Sequence, residues 1–370
     1  MTQVQSDWSN VLIYVTMAMY AIALILFSMD LANRSAARTR QRQGSALGAT
    51  KRRESVTAGA SAAGAASSSV STVGTLVLER GGDAADTAAD AADGDASSSE
   101  LAMAHSKAGD ADEWRDERAS TSLRIAMALM WAGFAVHLVA TVLRGLAASR
   151  VPWSNMYEFT MTSTLLVVLV FLLAQFWNDL RFLGTFISGF VTLCLGIAAV
   201  GFYVEVAPLQ PALQSYWLVI HVFVASLSTG CLALGFGLSI AQLMQNARTK
   251  RIREGGRSHL GFLAAIPSEE RLEDLAYRVI VVGFILWTFT LIAGAIWAER
   301  AWGRYWGWDT KEVWTFIIWT VYAGYIHARA TKGWRGTPSA WLAIVGFGTV
   351  LFNFGIVNVF FKGLHTYSGL

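Results

Sequence analysis

Residues 277–298 read YRVIVVGFILWTFTLIAGAIWA, a run of 22 residues in which only Arg278 is charged. About 20 such residues in an α-helix cross the roughly 30 Å of hydrocarbon in a bilayer. Seven further apolar runs of similar length lie at 9–29, 123–143, 157–177, 182–203, 217–244, 313–330 and 338–360. Transmembrane strands would show short segments of alternating polarity instead. We therefore predict an all-α fold, a polytopic bundle of about eight membrane-spanning helices.

The composition excludes a soluble globular domain. Hydrophobic residues make up 54% of the 370 residues and charged residues only 15%, whereas about 25% is typical of soluble proteins. The sequence has no Gly-rich phosphate loop, serine nucleophile elbow or zinc-type spacing of Cys and His. Cys194 and Cys231 lie inside predicted spans and form no Cys-x-x-Cys pair, which excludes a thiol–disulfide carrier. We expect membrane lipid around the bundle and no nucleic-acid partner.

The positions of Lys and Arg predict the orientation of the bundle, because cytoplasmic loops carry an excess of both. Basic residues cluster between the first and second spans, the fifth and sixth, and the seventh and eighth. They are Arg34, Arg38, Arg40, Arg42, Lys51, Arg52, Arg53, Arg248, Lys250, Arg251, Arg253, Arg257, Lys332 and Arg335. With eight crossings, both termini then face outward, which in a bacterium means the outer face of the cytoplasmic membrane.

The sequence divides into three parts. Residues 1–33 form the first predicted transmembrane helix, and residues 121–370 form a predicted seven-helix core. Between them, residues 34–120 are dominated by Ala, Ser, Gly and Asp over most of their length and have few large apolar side chains. Such a segment buries too little surface to offset the entropy lost on ordering. We predict a disordered cytoplasmic insertion there.

One loop between two predicted spans concentrates tryptophan. It reads AWGRYWGWDTKEVW at 301–314. It contains four tryptophans and two glycines, which are Trp302, Gly303, Trp306, Gly307, Trp308 and Trp314. One interpretation is an aromatic belt at headgroup depth, where Trp and Tyr are enriched. The other is a surface for a flat aromatic ligand, which the glycines would let approach closely. The density of Trp in a single loop favours the second interpretation.

Two histidines should lie on the same face of the membrane as this loop. His221 is a few residues into the fifth span from its outer end, and His365 follows the eighth span. A histidine at a helix end is often only a hydrogen-bonded interface residue, but two of them beside an aromatic surface suit axial ligation of a haem iron. His327 lies in the inner half of the seventh span, where an ionisable side chain is a functional candidate. His137, in the second span, is more simply a structural hydrogen-bonding group.

Residues 297–329, WAERAWGRYWGWDTKEVWTFIIWTVYAGYIHAR, resemble the WWD signature of haem-handling membrane proteins. The nearest resemblance is to the CcsA-type transmembrane subunit of the system II cytochrome c synthase. LQPALQSYWLVIHV at 209–222 and FGIVNVFFKGLHTYSG at 354–369 resemble the segments that bear its two outward histidines. VPWSNMYEF at 151–159 resembles its P-x-x-N-x-Y-E element, which we interpret as an interhelical polar clasp. The resemblance covers residues 123–370 in order.

The resemblance implies a cytochrome c haem lyase, an enzyme that receives haem b from the cytoplasm and holds it at the outer face. There the thiols of a Cys-x-x-Cys-His motif in apocytochrome c add to the haem vinyl groups. His221 and His365 would be the catalytic axial ligands of the iron, and His327 an iron ligand in a transit site within the membrane. The outward loop at 299–313 would bind haem through Trp302, Gly303, Arg304, Trp306, Gly307, Trp308 and Asp309.

The resemblance also implies partners: a second membrane subunit of the CcsB or ResB type, apocytochrome c, and a thioredoxin-like thiol reductant. A haem transporter or chaperone without ligation activity would use the same ligands, and the sequence does not separate the two functions. A b-type cytochrome is a third possibility, but it expects paired histidines that face each other within a four-helix core. His221 and His365, at helix ends, do not offer that arrangement.

Several polar residues of the outward side have structural alternatives. Asp309 and Glu312 have the spacing of a capping arrangement at the start of the seventh helix. Capping is compatible with a role in binding, because a capped helix would fix the loop before it. Four outward arginines either extend to lipid headgroups or, in one case, pair with a haem propionate. These are Arg144, Arg150, Arg300 and Arg304. Together with Lys311, they run against the excess of cytoplasmic cations, which suggests an anionic ligand on the outward side.

Reporter fusions after Leu370 test the predicted orientation. Because the basic loops at 34–53 and 248–257 are expected in the cytoplasm, alkaline phosphatase fused at the C-terminus should be active and β-galactosidase inactive. The same reporters fused within 248–257 are the control and should give the reverse pattern. Inverted results at both positions would move the tryptophan loop to the cytoplasmic side.

Overall fold

The computed structural model describes the backbone of residues 2–66, 120–206, 213–256, 261–331 and 333–365. Its long helices are α1 Thr2–Ala66, α2 Thr121–Ala148, α3 Met156–Ala174, α4 Gly184–Gly201, α5 Tyr216–Arg253, α6 Glu269–Trp302, α7 Thr310–Ala330 and α8 Thr337–Leu351. A π-helical turn, Phe352–Val357, continues α8 and leads into the short helix α9, Asn358–Phe360. No strand occurs in the described ranges. The all-α prediction is confirmed, and each of the eight predicted spans coincides with one long helix.

Seven of the described helices are long and apolar enough to cross a bilayer. They are the N-terminal part of α1, together with α2, α3, α4, α5, α6 and α8 with its extension. The helix α7 is not among them; Lys311, Glu312, His327 and Arg329 lie within it and lower its hydropathy. The polytopic helical membrane bundle is therefore confirmed, and an eighth crossing by α7 stays a prediction.

The first helix is longer than the sequence indicates. We predicted its end at residue 33, whereas α1 runs without a break to Ala66. Residues 34–66, the first part of the predicted insertion, belong to this helix, and Ala and Arg, which favour helix, are its commonest residues. Residues 67–119 of the predicted insertion lie outside the described residues. Contacts divide the chain into two units, residues 1–36 with 120–370, and residues 37–119.

Helices α5 and α6 pack closely because small residues lie in their contact. A Cβ added at Gly283 would lie 2.8 Å from Leu232 Cδ2. Ser228 Oγ donates a hydrogen bond of 2.7 Å to the Gly283 carbonyl. Within lipid, where apolar burial gives little driving force between helices, such close packing and interhelical hydrogen bonds hold helices together. The contact helps to keep α5, which carries His221 near its N-terminal end, against α6.

A buried ionic cluster joins α2 and α3 at the end of the bundle that carries the tryptophan loop. The side chain of Arg144 has no exposed surface, and its Nε lies 3.1 Å from Glu158 Oε1. Arg150 Nη1 lies 2.6 Å from Glu158 Oε2. Tyr157 extends the cluster to α1, because its hydroxyl donates to Asn10 Oδ1 at 3.1 Å. The interhelical clasp predicted from the P-x-x-N-x-Y-E element is confirmed for Tyr157 and Glu158, whereas Asn155 caps α3 itself.

Removal of the Glu158 carboxylate should destabilise the bundle, since two buried guanidinium groups would lose their anionic partner. Breaking a buried ion pair in this way costs about 3–5 kcal/mol. We expect Glu158→Ala in detergent to unfold at a clearly lower temperature than the parent, measured by circular dichroism. Glu299→Ala is the matched control, because the Glu299–Arg300 pair is largely exposed and such pairs contribute about 0–1 kcal/mol. Equal melting temperatures for the two variants would contradict the clasp.

Candidate functional site

The imidazole of His221 is held in one orientation by α6. Its Nδ1 lies 3.0 Å from the carbonyl oxygen of Thr290. A carbonyl oxygen only accepts, so Nδ1 carries the proton and Nε2 keeps its lone pair. Gly294 gives the ring its space, because an added Cβ would lie 2.7 Å from His221 Cε1. Trp297 stacks on the same ring, with the centroids 6.0 Å apart and the planes at 15°.

Asp309 fixes the second histidine. His365 Nδ1 lies 2.8 Å from Asp309 Oδ2, and the Leu364 amide donates to Asp309 Oδ1 at 3.0 Å. Gly363 permits this approach, because an added Cβ would collide with the Asp309 carboxylate. The hydrogen bond from His365 holds the pKa of Asp309 below its usual value of 3.8, so the carboxyl group stays ionised. His365 therefore donates through Nδ1, which leaves Nε2 as the ring nitrogen that Asp309 does not bind.

Both imidazoles contact Trp297, a side chain that is only 2% exposed. The ring centroid of His365 lies 5.4 Å from that of Trp297 and 4.8 Å from that of Trp302. The two indoles also meet each other edge-on, with centroids 4.8 Å apart. The C-terminal end of α6, which leads into the tryptophan loop, thus packs against both histidines.

The start of α7 fixes the loop that precedes it. Asp309 and Glu312 form a capping box, in which Asp309 Oδ2 accepts from the Lys311 amide at 3.2 Å. Glu312 Oε2 accepts from the amides of Gly307 at 2.8 Å and Asp309 at 3.1 Å. The predicted capping arrangement is confirmed. Because Asp309 also binds His365, the residue that begins α7 holds the second histidine as well.

A cavity of about 180 Å³ lies beside both histidines, among α3, α4, α5, α6, α7 and α8. Its wall is largely apolar and aromatic, with Phe159, Trp297, Trp306 and Phe354 among its members. The wall also contains two histidines, a lysine and a glutamate: His221, His365, Lys311 and Glu312. A wall of this kind is chemically suited to a flat, largely apolar ligand whose centre binds imidazole nitrogen.

The structure separates the three tryptophans predicted to bind a ligand. Trp306 lines the cavity, whereas Trp302 packs on His365 outside the cavity wall. Trp308 is 78% exposed and adopts a positive φ of 60°. Of the three, only Trp306 therefore lines the cavity, and Trp302 packs against the imidazole of His365.

The two loop glycines serve the fold of the loop, and their role in the close approach of a ligand stays a prediction. Gly303 adopts a φ of 69° and ends α6, and nothing lies within 4 Å of an added Cβ there. Gly307 accommodates the Arg304 guanidinium, which occupies the place of a Cβ. Neither Arg304 nor the two glycines belong to the cavity wall, and Asp309 lines a small recess beside it.

Two further histidines of the described residues, His327 and His137, lie outside the cavity wall, whereas one of the two cysteines belongs to it. His327 is exposed on α7 and outside the cavity wall, so its role in a separate transit site stays a prediction. His137 is fully buried in α2 and packs edge-on against Tyr20, with centroids 6.1 Å apart. Cys231 is buried, and Cys194 lies in the cavity wall.

Three residues of the site were not predicted from the sequence: Thr290, Gly294 and Trp297. They follow each other at spacings of four and three, which places them on one face of a helix. That spacing was a readable signal of a face that packs against something specific. The sequence indicated Lys311 only as an outward cation, because its neighbours Asn353 and Asn358 come from the π-helical turn and α9, far along the chain.

These observations define a class of protein: a multi-pass α-helical membrane protein with two oriented imidazoles beside an aromatic cavity at one end of its bundle. The sequence matches the family described as Cytochrome C assembly protein over residues 153–365, which include both histidines and the tryptophan loop. The chain belongs to this family, and its role is in cytochrome c biogenesis.

Similar proteins support the same assignment and confirm the resemblance to the CcsA type. A cytochrome c biogenesis protein CcsA of Guillardia theta is 36% identical over 240 residues, which cover 61% of this chain and 80% of the relative. The CcsA of Synechococcus elongatus is 36% identical over 267 residues, covering 61% and 81%. The CcsA of Synechococcus sp. strain RCC307 is 41% identical over 178 residues, covering 44% and 57%.

Proposed function

We propose that the chain is the haem-handling subunit of a cytochrome c haem lyase. It holds haem b, its substrate, between His221 and His365 at the outer face of the membrane and supports attachment of that haem to apocytochrome c. The family, the two oriented imidazoles and the aromatic cavity support this proposal.

The observation that carries the proposal is the matched orientation of the two rings. Each imidazole uses Nδ1 to donate to an acceptor of the protein, Thr290 O for His221 and Asp309 Oδ2 for His365. Each therefore presents Nε2, the nitrogen with a lone pair, as an iron ligand. Acceptors of this kind fix the orientation of a ligating histidine and raise its basicity. Imidazole is also a common axial ligand of haem iron.

The haem supplies vinyl groups, across which the S–H of a cysteine adds so that carbon–sulfur and carbon–hydrogen bonds form. The residues of this chain supply position. The Nε2 atoms of His221 and His365 would fix the plane of the ring and so place its vinyl groups for an incoming thiol. The aromatic wall would keep bulk water from the iron. One imidazole would then yield to the histidine of the Cys-x-x-Cys-His motif, which favours release of the product.

A second membrane subunit of the CcsB or ResB type and a thioredoxin-like reductant, which keeps the cysteines of apocytochrome c reduced, complete the proposed system. The exposed position of His327 on α7 suits a transit station shared with that subunit, because an exposed imidazole can bind iron together with a ligand from another chain. The bundle would lie in the bacterial cytoplasmic membrane with the cavity on the outer face.

A haem transporter or chaperone without ligation activity is the alternative function, since the same two imidazoles would serve it. Reconstitution of the full chain with its second subunit in liposomes separates the two. If the chain is part of a lyase, a reduced Cys-x-x-Cys-His peptide should acquire covalent haem, detected by mass spectrometry. Low-spin haem on the complex without covalent product would support the chaperone instead.

In the same preparation, His221→Gly and His365→Gly should each weaken the low-spin haem spectrum, because each removes one proposed axial ligand. Added imidazole should restore the spectrum by occupying the vacant position. His327→Gly is the comparison and should leave the spectrum of externally supplied haem unchanged. Spectra equal to the parent's in both of the first two variants would remove His221 and His365 from the ligand set.

Gly294→Ala tests the position of a ligand without changing the ligand. The added Cβ would meet His221 Cε1 at 2.7 Å and should displace the imidazole. Loss of ligand positioning of this kind lowers affinity about 10- to 100-fold at metal sites, which a haem titration would measure. Gly324→Ala is the matched control, because nothing lies within 4 Å of a Cβ added there. Equal haem affinities in the two variants would contradict the proposed position of His221.

A further inference from the structure

Lys311 is the one lysine or arginine in the cavity wall among the described residues. It lies in the first turn of α7, between Asp309 and the rest of the helix. Its ammonium donates to the carbonyl oxygen of Asn353 at 3.0 Å and to Asn358 Oδ1 at 2.6 Å. Lys311 also lines the small recess that contains His365 and Asn358. The amino group is therefore fixed next to the second histidine.

Both acceptors of this ammonium are neutral. An ammonium group has three hydrogens to donate, and these two contacts use two of them. Within the described part of the chain, no carboxylate forms a salt bridge with Lys311. Asp309, which acts on it electrostatically, is already bound by His365 and by the Leu364 amide. A positive charge in a largely apolar cavity is costly unless an anion pairs with it.

The loop, and not Lys311, holds Glu312, the acidic residue of the cavity wall. Glu312 Oε2 accepts from the amides of Gly307 and Asp309, and its buried Oε1 has no hydrogen-bond partner among the described residues. The π-helical turn Phe352–Val357 brings Asn353 to the cavity wall, where its carbonyl oxygen accepts a hydrogen bond from the Lys311 ammonium. Turns of this kind occur frequently at functional sites.

The outward arginines do not compete for the same role. Arg144 and Arg150 are bound to Glu158. Arg300 pairs with Glu299 with 66% of its side chain exposed, and Arg304 lies against Gly307. None of the four belongs to the cavity wall.

We propose that Lys311 binds a carboxylate of the porphyrin, a haem propionate, through its third N–H. The ion pair makes the cavity selective for porphyrins with free carboxylates, and it fixes the rotation of the ring about the axis through the two imidazoles. This inference rests on the proposed function, since it assigns one further contact to the same ligand. It replaces the outward arginines as the partner of a propionate.

A comparison of two porphyrins tests the inference with the purified full chain in detergent. Haem b and its dimethyl ester carry the same iron and vinyl groups, and the ester lacks only the propionate charges. Each is titrated into the parent and into Lys311→Met, Lys311→Arg and Lys362→Met, with binding followed by the Soret band. Lys362 is exposed near the same end of the bundle and is the matched control. Differences in detergent partition between the two porphyrins cancel between variants.

The parent should bind the free acid about tenfold more tightly than the ester, the effect expected of one charge-assisted contact. Lys311→Met should lose this preference, whereas Lys311→Arg and Lys362→Met should keep it. An equal loss of affinity for both porphyrins in Lys311→Met would show that Lys311 only forms hydrogen bonds between helices, and it would overturn the inference. So would a parent that shows a histidine-dependent spectrum but no preference. A parent that binds neither porphyrin would instead contradict the proposed function, and this inference with it.

Discussion

The site depends on the hydrogen bonds of one carboxylate. Asp309 accepts from the Lys311 amide, from the Leu364 amide and from His365 Nδ1. The start of a helix, the end of the described chain and an imidazole ring therefore share one anion. An Asn at this position would keep the shape of the side chain, but it would lose the charge and turn one acceptor into a donor. The same contacts lower the pKa of Asp309, so the carboxylate stays ionised and continues to accept these hydrogen bonds at neutral pH.

The two histidines are oriented in the same way but by chemically different acceptors. His221 donates to a neutral carbonyl of α6, and His365 donates to a carboxylate. An anionic acceptor draws more strongly on the N–H and makes the opposite nitrogen a better electron donor. Under the proposed function, the two axial positions of the haem are therefore unequal.

Much of the architecture could be predicted from the sequence, because helices in lipid must satisfy their own backbone and so appear as long apolar runs. All eight runs became helices, and the spacing of Asp309 and Glu312 predicted the cap of α7. The length of α1 could not be predicted, since a polar Ala-rich segment carries no hydropathy signal. The contacts of Lys311 with Asn353 and Asn358 join segments far apart in the sequence, which hydropathy and spacing do not encode. The density of tryptophan in one loop and the resemblance to the WWD signature brought Trp302 and Trp308 into the predicted set, whereas packing directs only Trp306 to the cavity.

The π-helical turn at Phe352–Val357 affects everything that follows it. An α-helix turns by about 100° per residue, whereas a π-type turn closes its hydrogen bonds one residue later and takes up an extra residue. Residues after Val357 are therefore rotated about the helix axis, relative to the positions they would have if α8 continued as a regular α-helix. Asn358 and His365 lie in that rotated segment. The direction of the second histidine is consequently encoded in the number of residues in the turn as well as in their chemistry. A one-residue deletion there would redirect it even if every contacting side chain were retained.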